Sequence, residues 1–86
     1  MDASSDHKRL VQILQAAYSG ELAAANAYRG HWKSLADPVE REMVRRIENE
    51  EWAHREKVGR MLHSLGGAPV KARELRMMAV LSLIHI

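Results

Sequence analysis

Cysteine and phenylalanine are both absent from this 86-residue chain, and proline occurs only twice. Without cysteine there are no disulfides, no thiolate metal ligands and no thiol nucleophile. Aromatic residues make up only 5% of the chain, and alanine, leucine, methionine and valine supply most of the apolar content. That palette, with 28% charged residues, suits helices and not strands. Neither sign of charge dominates: 13 Lys and Arg against 11 Asp and Glu leave a formal charge of +2. The most basic stretch, Arg41, Arg45 and Arg46, alternates with Glu40, Glu42 and Glu48. It reads as a solvated helix face and excludes the clustered basic stripe that nucleic acid binding requires. The longest near-continuous apolar run, Met77 to Ile84, falls well short of the roughly 20 residues of a membrane span. Met1 to Lys8 lacks the apolar stretch of a secretory signal. The expectation is one small domain, residues 1–86, of a cytoplasmic protein with no nucleic-acid partner.

What is present is helix punctuation. Ser4, Ser5 or Asp6 can cap a first helix over about residues 6–36. Asp37-Pro38-Val39-Glu40 gives a capping side chain, proline at the first helical position and glutamate at the third. A second helix then covers about 38–65, stopped by Gly66-Gly67, with Pro69 preventing resumption. A third covers about 70–84. The fold class is all-α: a long antiparallel helical hairpin, forced by the short link, plus a short third helix. The third helix runs into Leu81-Ser82-Leu83-Ile84-His85-Ile86 with no cap, glycine or basic last turn. The chain therefore reads as truncated, with Leu81–Ile86 as non-native sequence.

Both long helices carry a seven-residue seam. In the first it runs Leu14, Glu21, Tyr28, Leu35, with Leu10, Ala17, Ala24 and His31 alongside. In the second it runs Val44, Glu51, Val58, Leu65, with Ile47, His54 and Met61 alongside. Positions three, four and seven apart share a helix face, so these residues are expected to line the hairpin's interior.

Three ionisable groups sit in that seam: Glu21, Glu51 and His54. Buried unpaired carboxylates cost several kcal/mol, so something must neutralise them. Glu51 and His54 form Glu-x-x-His, a weak motif that chance alone produces about 0.5 times in this composition. Height is more telling. Glu21 lies 16 residues before Asp37, and Glu51 and His54 lie 14 and 17 after it. At about 1.5 Å per residue those are heights of about 24, 21 and 25 Å, one level of the hairpin. Hard carboxylate oxygens with an imidazole suit iron or manganese. Di-metal carboxylate bundles take one glutamate from each of two helices and Glu-x-x-His from each of two others. This chain has one of each, which is half a set.

The stretch Ala17-Tyr-Ser-Gly-Glu21-Leu-Ala-Ala-Ala-Asn-Ala-Tyr28, followed by Glu50-Glu51-Trp-Ala-His54-Arg-Glu56, resembles the ferritin-like superfamily. Within it, Ser-Gly-Glu21 and the Glu51-to-His54 helix look most like demethoxyubiquinone hydroxylases and rubrerythrin-like proteins. The resemblance spans Ala17 to Gly67 and implies half of a four-helix bundle, a di-iron centre and dioxygen or peroxide chemistry. By position it makes Glu21 a terminal carboxylate ligand, Glu51 a bridging carboxylate and His54 a nitrogen ligand. Those families carry a second glutamate and a second Glu-x-x-His downstream; after Gly67 this chain has only Glu74, with no histidine three residues on. The leading expectation is a di-iron oxidase or hydroxylase acting on a quinone-type substrate; the third helix reads first as a core helix and second, by the resemblance, as a membrane-surface element. The alternatives are a ferroxidase or iron-binding protein completed by homodimerisation, and an inactive fragment or metal-free interaction hairpin.

The remaining polar and aromatic groups read as structural. Arg29 or Arg55 is available to neutralise the three seam groups. Glu48 and Glu50 are expected at the surface, and His31 in the core. His7, His63 and His85 lack an acidic partner at metal spacing. Tyr18 and Tyr28, one turn before and two after Glu21, read first as packing and second as redox partners of the site. Trp32 and Trp52 point off the seam, towards helices outside this chain. Gly20, at about 1 kcal/mol against alanine in mid-helix, implies close approach of another backbone beside Glu21.

Overall fold

The computed structural model describes residues 3–84, without the side chains of Leu83 and Ile84, so part of the expected non-native tail and His85 lie outside the described residues. It contains three helices, α1 (Ala3–Ser34), α2 (Pro38–Ser64) and α3 (Lys71–Ile84), and no strand among those residues. No described helix is long and apolar enough to cross a membrane.

The capping chemistry works as the sequence implies at the hairpin turn. Asp37 is extended (ψ 122°), and its Oδ2 accepts from Glu40 N–H at 3.0 Å. Pro38 occupies the first helical position, where its missing N–H costs nothing. At the other end Gly66 adopts φ +78°, donates to His63 O at 2.9 Å, and lets Gly67 donate to Leu62 O at 3.0 Å. These two bonds close α2 as a Schellman motif, and the positive φ is why glycine stands there. Gln15 Nε2 then donates to Ala68 O at 2.9 Å, pinning the link to α1. The start of α1 differs from expectation. Ser4, Ser5 and Asp6 lie inside the helix, and Asp6 in its first turn favours the positive end of the dipole.

The result is elongated, 53 Å in its longest dimension with a radius of gyration of 15.5 Å. A compact chain of this length would have about 12 Å. α1 packs along α2 and, over a shorter length, against α3. Each long helix touches the other along one line, so the fully buried set is small: Leu14, Ser19, Ala25, Glu48 and Leu62. The central seam residues Glu21, Tyr28, Leu35, Val44, Glu51, Val58 and Leu65 are half-buried. Leu10, His31, Ile47, His54 and Met61, expected inside, are exposed. Two helices bury one shared line, and these flanking positions need a further helix. In α3, Leu75, Met78 and Val80 are exposed as well.

Glu48 departs most from expectation. It is buried, at 7% exposure, and accepts from Trp32 Nε1 at 2.7 Å and Trp52 Nε1 at 2.5 Å. The two tryptophans therefore turn inward onto one carboxylate and do not reach for absent helices. Side chains lean toward their own helix N-terminus. In an antiparallel pair that tilts Trp32 away from the turn and Glu48 toward it, closing their difference in height. Trp32 is also flanked by Arg41 and Arg45, at 5.6 and 5.7 Å from its ring centre.

Glu48→Ala strands two indole N–H groups and is expected to lower unfolding free energy by about 2–3 kcal/mol in urea titration, with Glu48→Gln losing less. A loss below about 0.5 kcal/mol, the range of ordinary surface changes, would show that this tie does not hold the hairpin.

Candidate metal centre

The short link sets the register, and the register sets the site. One ligand atom each from Glu21, Glu51 and His54 lies within 4.8 Å of the others. Glu21 and Glu51 are half-buried and His54 is exposed, so the cluster opens to solvent on one side. Donors about 2.0–2.2 Å from a common ion stand at most about 4.4 Å apart. Closing around an ion thus takes side-chain shifts of a few tenths of an ångström.

The electrostatics are those of a site short of positive charge. Glu21 Oε2 is buried with no hydrogen-bond partner. Protonation would let Glu21 share with the Glu51 carboxylate a hydrogen bond that two ionised carboxylates cannot make; this, then burial, then the negative charge of Glu51, raise the Glu21 pKa above the ordinary carboxylate range. The nearby His54 pulls it back in part. Two carboxylates facing each other can share a proton or bind a cation, and a cation satisfies both at once.

Arg55, one of the two cations expected to neutralise this group, is engaged elsewhere. Its guanidinium stacks 3.8 Å from the Tyr18 ring centre, donates to Tyr18 Oη at 3.0 Å and pairs with Glu74 at 2.9 Å. Tyr18 in turn presses on Gly59, where a Cβ would stand 2.9 Å from its ring. Arg29 is exposed and lines a shallow cleft with Asn26, Gly30 and Lys33. The Tyr18–Arg55–Glu74 cluster ties all three helices together beside the site, and sequence reasoning missed it. Its signal was the position of Tyr18 and Arg55, one turn before Glu21 and one residue after His54. Glu48 had a signal too, the Glu48-x-x-x-Trp52 spacing that stacks two side chains on one helix face.

A Cβ built at Gly20 would meet nothing within 4 Å among the described residues, so the hairpin itself brings no backbone to that position.

A carboxyl with a raised folded-state pKa favours its protonated form on folding. Its stabilising contribution is present below the unfolded-state pKa and is lost as pH rises through the higher folded-state value. Metal-free Glu21→Gln is therefore expected to match the parent in melting temperature in acid and to exceed it by a few degrees at neutral pH. A variant that melts lower than the parent at neutral pH would contradict this charge balance.

No protein-family model matches the chain, and no curated protein or solved structure matches it at a significant level.

Proposed function

We propose that Glu21, Glu51 and His54 are metal ligands of a di-iron carboxylate protein, of ferritin-like type, that activates dioxygen or peroxide as an oxidase or hydroxylase. The observation that carries this reading is the convergence of one ligand atom each from Glu21, Glu51 and His54 within 4.8 Å of one another. Buried polar atoms without a hydrogen-bond partner also occur at Ser19, Arg55 and Glu74, but among the described residues only Glu21 combines such an atom with a second carboxylate and an imidazole at ligand spacing.

In this reading Glu21, Glu51 and His54 would be the protein ligands of the centre, Glu21 and Glu51 as carboxylates, with Glu51 in the role the ferritin-like resemblance makes bridging, and His54 as the nitrogen donor. Iron bound there would supply the redox chemistry, and manganese would suit the same donors. The chain's own contribution is orientation and shielding. Glu48, one turn from Glu51, fixes Trp52 and Trp32 against the hairpin. Arg55 and Glu74 hold Tyr18 one turn from Glu21. The charge of two carboxylates and the exposed edge at His54 also suit an iron-handling ferroxidase, in which the metal is itself the substrate.

Anaerobic titration of the 86-residue chain with ferrous or cobaltous ion is expected to show saturable binding. Glu51→Ala and His54→Ala should each weaken it by about 10-fold or more, since a lost ligand costs at least as much as a lost supporting contact. A parent chain that binds neither ion, or variants that bind as well as the parent, would remove the metal reading. Dioxygen consumption driven by ferrous ion alone, with no turnover of a quinol, would favour the ferroxidase over the hydroxylase.

A further inference from the structure

One face of the hairpin is unpartnered, and it is the face on which the candidate site opens. On α1, Ile13, Gly20 and Ala27 are exposed at seven-residue intervals; on α2, Ile47, His54 and Met61 are exposed at the same intervals. Residues equidistant from Asp37 lie level, so these six form three rungs: Ile13 with Met61, Gly20 with His54, Ala27 with Ile47. On a helical wheel each row lies on the same side of its helix's buried line as Glu21 or Glu51. Because the helices are antiparallel, both rows fall on one face of the hairpin. The only charged or polar group on the rungs is His54, a candidate ligand. At the turn end the face continues into a depression of about 210 Å³ lined by His31, Leu35, Glu40, Met43 and Val44.

The amount of surface is also abnormal. The chain exposes 6327 Å² at 9.8 kDa, where a folded monomer of that mass exposes about 5,200 Å². The excess, about 1,100 Å² per chain, comes to about 2,200 Å² for a pair, above the roughly 1,600 Å² of a standard stable interface.

We propose that this face binds a second copy of the chain, as an isologous dimer about a twofold axis through the Gly20/His54 rung. Three observations favour a second copy as the occupant. A twofold lying in that face along the rung, at right angles to the helix axes, lays Ile13/Met61 of each copy on Ala27/Ile47 of the other, large side chains against a rung that includes alanine. It brings the two Gly20 positions together, where the hairpin leaves open space for close helix approach. It also brings both Glu21/Glu51/His54 sets to one level and supplies, from one sequence, two glutamates and two Glu-x-x-His pairs. The last point rests on the metal reading; the apolar rungs and the surface excess do not.

The test is sedimentation equilibrium of the 86-residue chain with and without cobaltous ion, beside Gly20→Leu and Ile13→Glu. The parent is expected at twice 9.8 kDa. Gly20→Leu meets nothing within the hairpin and replaces a poor helix former, so its helicity by circular dichroism is retained or increased. At the dimer axis the same side chain should raise the dissociation constant by about 10-fold or more. Ile13→Glu, about 12 Å along α1 from Glu21, should act in the same direction. A parent chain that stays monomeric in both conditions, or variants that dimerise as tightly as the parent, would overturn the proposal and leave the face to a different helical segment. A dimer that binds no cobalt would keep the interface and remove the metal reading, whereas a cobalt-binding monomer would do the reverse.

Discussion

With only Leu35, Ala36 and Asp37 between them, α1 and α2 have no freedom to slide along each other. Asp37 caps α2 through Glu40 N–H, Pro38 fixes the first backbone angle, and the two helices leave the turn locked in register. A shift of one residue would move every level by about 1.5 Å and rotate each face by about 100°. Glu21 would then no longer face Glu51, and Trp32 would miss Glu48. Every contact between α1 and α2 inherits its geometry from that turn.

Two glutamates on α2, one turn apart, show how the same side chain is used in opposite ways. Glu48 is buried and satisfied: two indole N–H groups, one from each helix, take its oxygens. Glu51 is half-buried and faces a third carboxyl, Glu21, one of whose oxygens has no partner. The first arrangement lowers the energy of the folded chain as it stands. The second leaves electrostatic repulsion in place, tolerable because the cluster opens to solvent at His54.

α3 makes the hairpin asymmetric. It lies against α1, and through Glu74 it engages Arg55, which also stacks on Tyr18. Arg55 is thereby held away from the acidic cluster one residue upstream, and the site keeps its charge. Among the described residues nothing packs on the opposite face. Its small and apolar rungs, Gly20 and Ala27 among them, explain why a helix with so many alanines has only Leu14, Ser19 and Ala25 fully buried.

Local chemistry carried much of this. The caps at Asp37 and Gly66, the helix count, the antiparallel pairing and the common level of Glu21, Glu51 and His54 all follow from residue identity, spacing and a rise of about 1.5 Å per residue. Those are short-range rules, and a helix obeys them wherever it is placed. Which flank of each seam is covered is not short-range. Leu10, Ile47 and Met61 carry the right pattern for a core yet stay exposed, because a pattern states what a face can bury and not what is there to bury it. Glu48 reads as a surface charge until Trp32 arrives from a different level of the other helix, an approach set by side-chain tilt and not by sequence distance. Arg55 reads as a counter-ion for the acidic cluster until α3 brings Glu74 to it. Residue spacing and helical rise place three ligand-type groups at one height along the hairpin; which charges find partners there is settled in three dimensions, because pairing depends on side chains that converge from elements far apart in the chain.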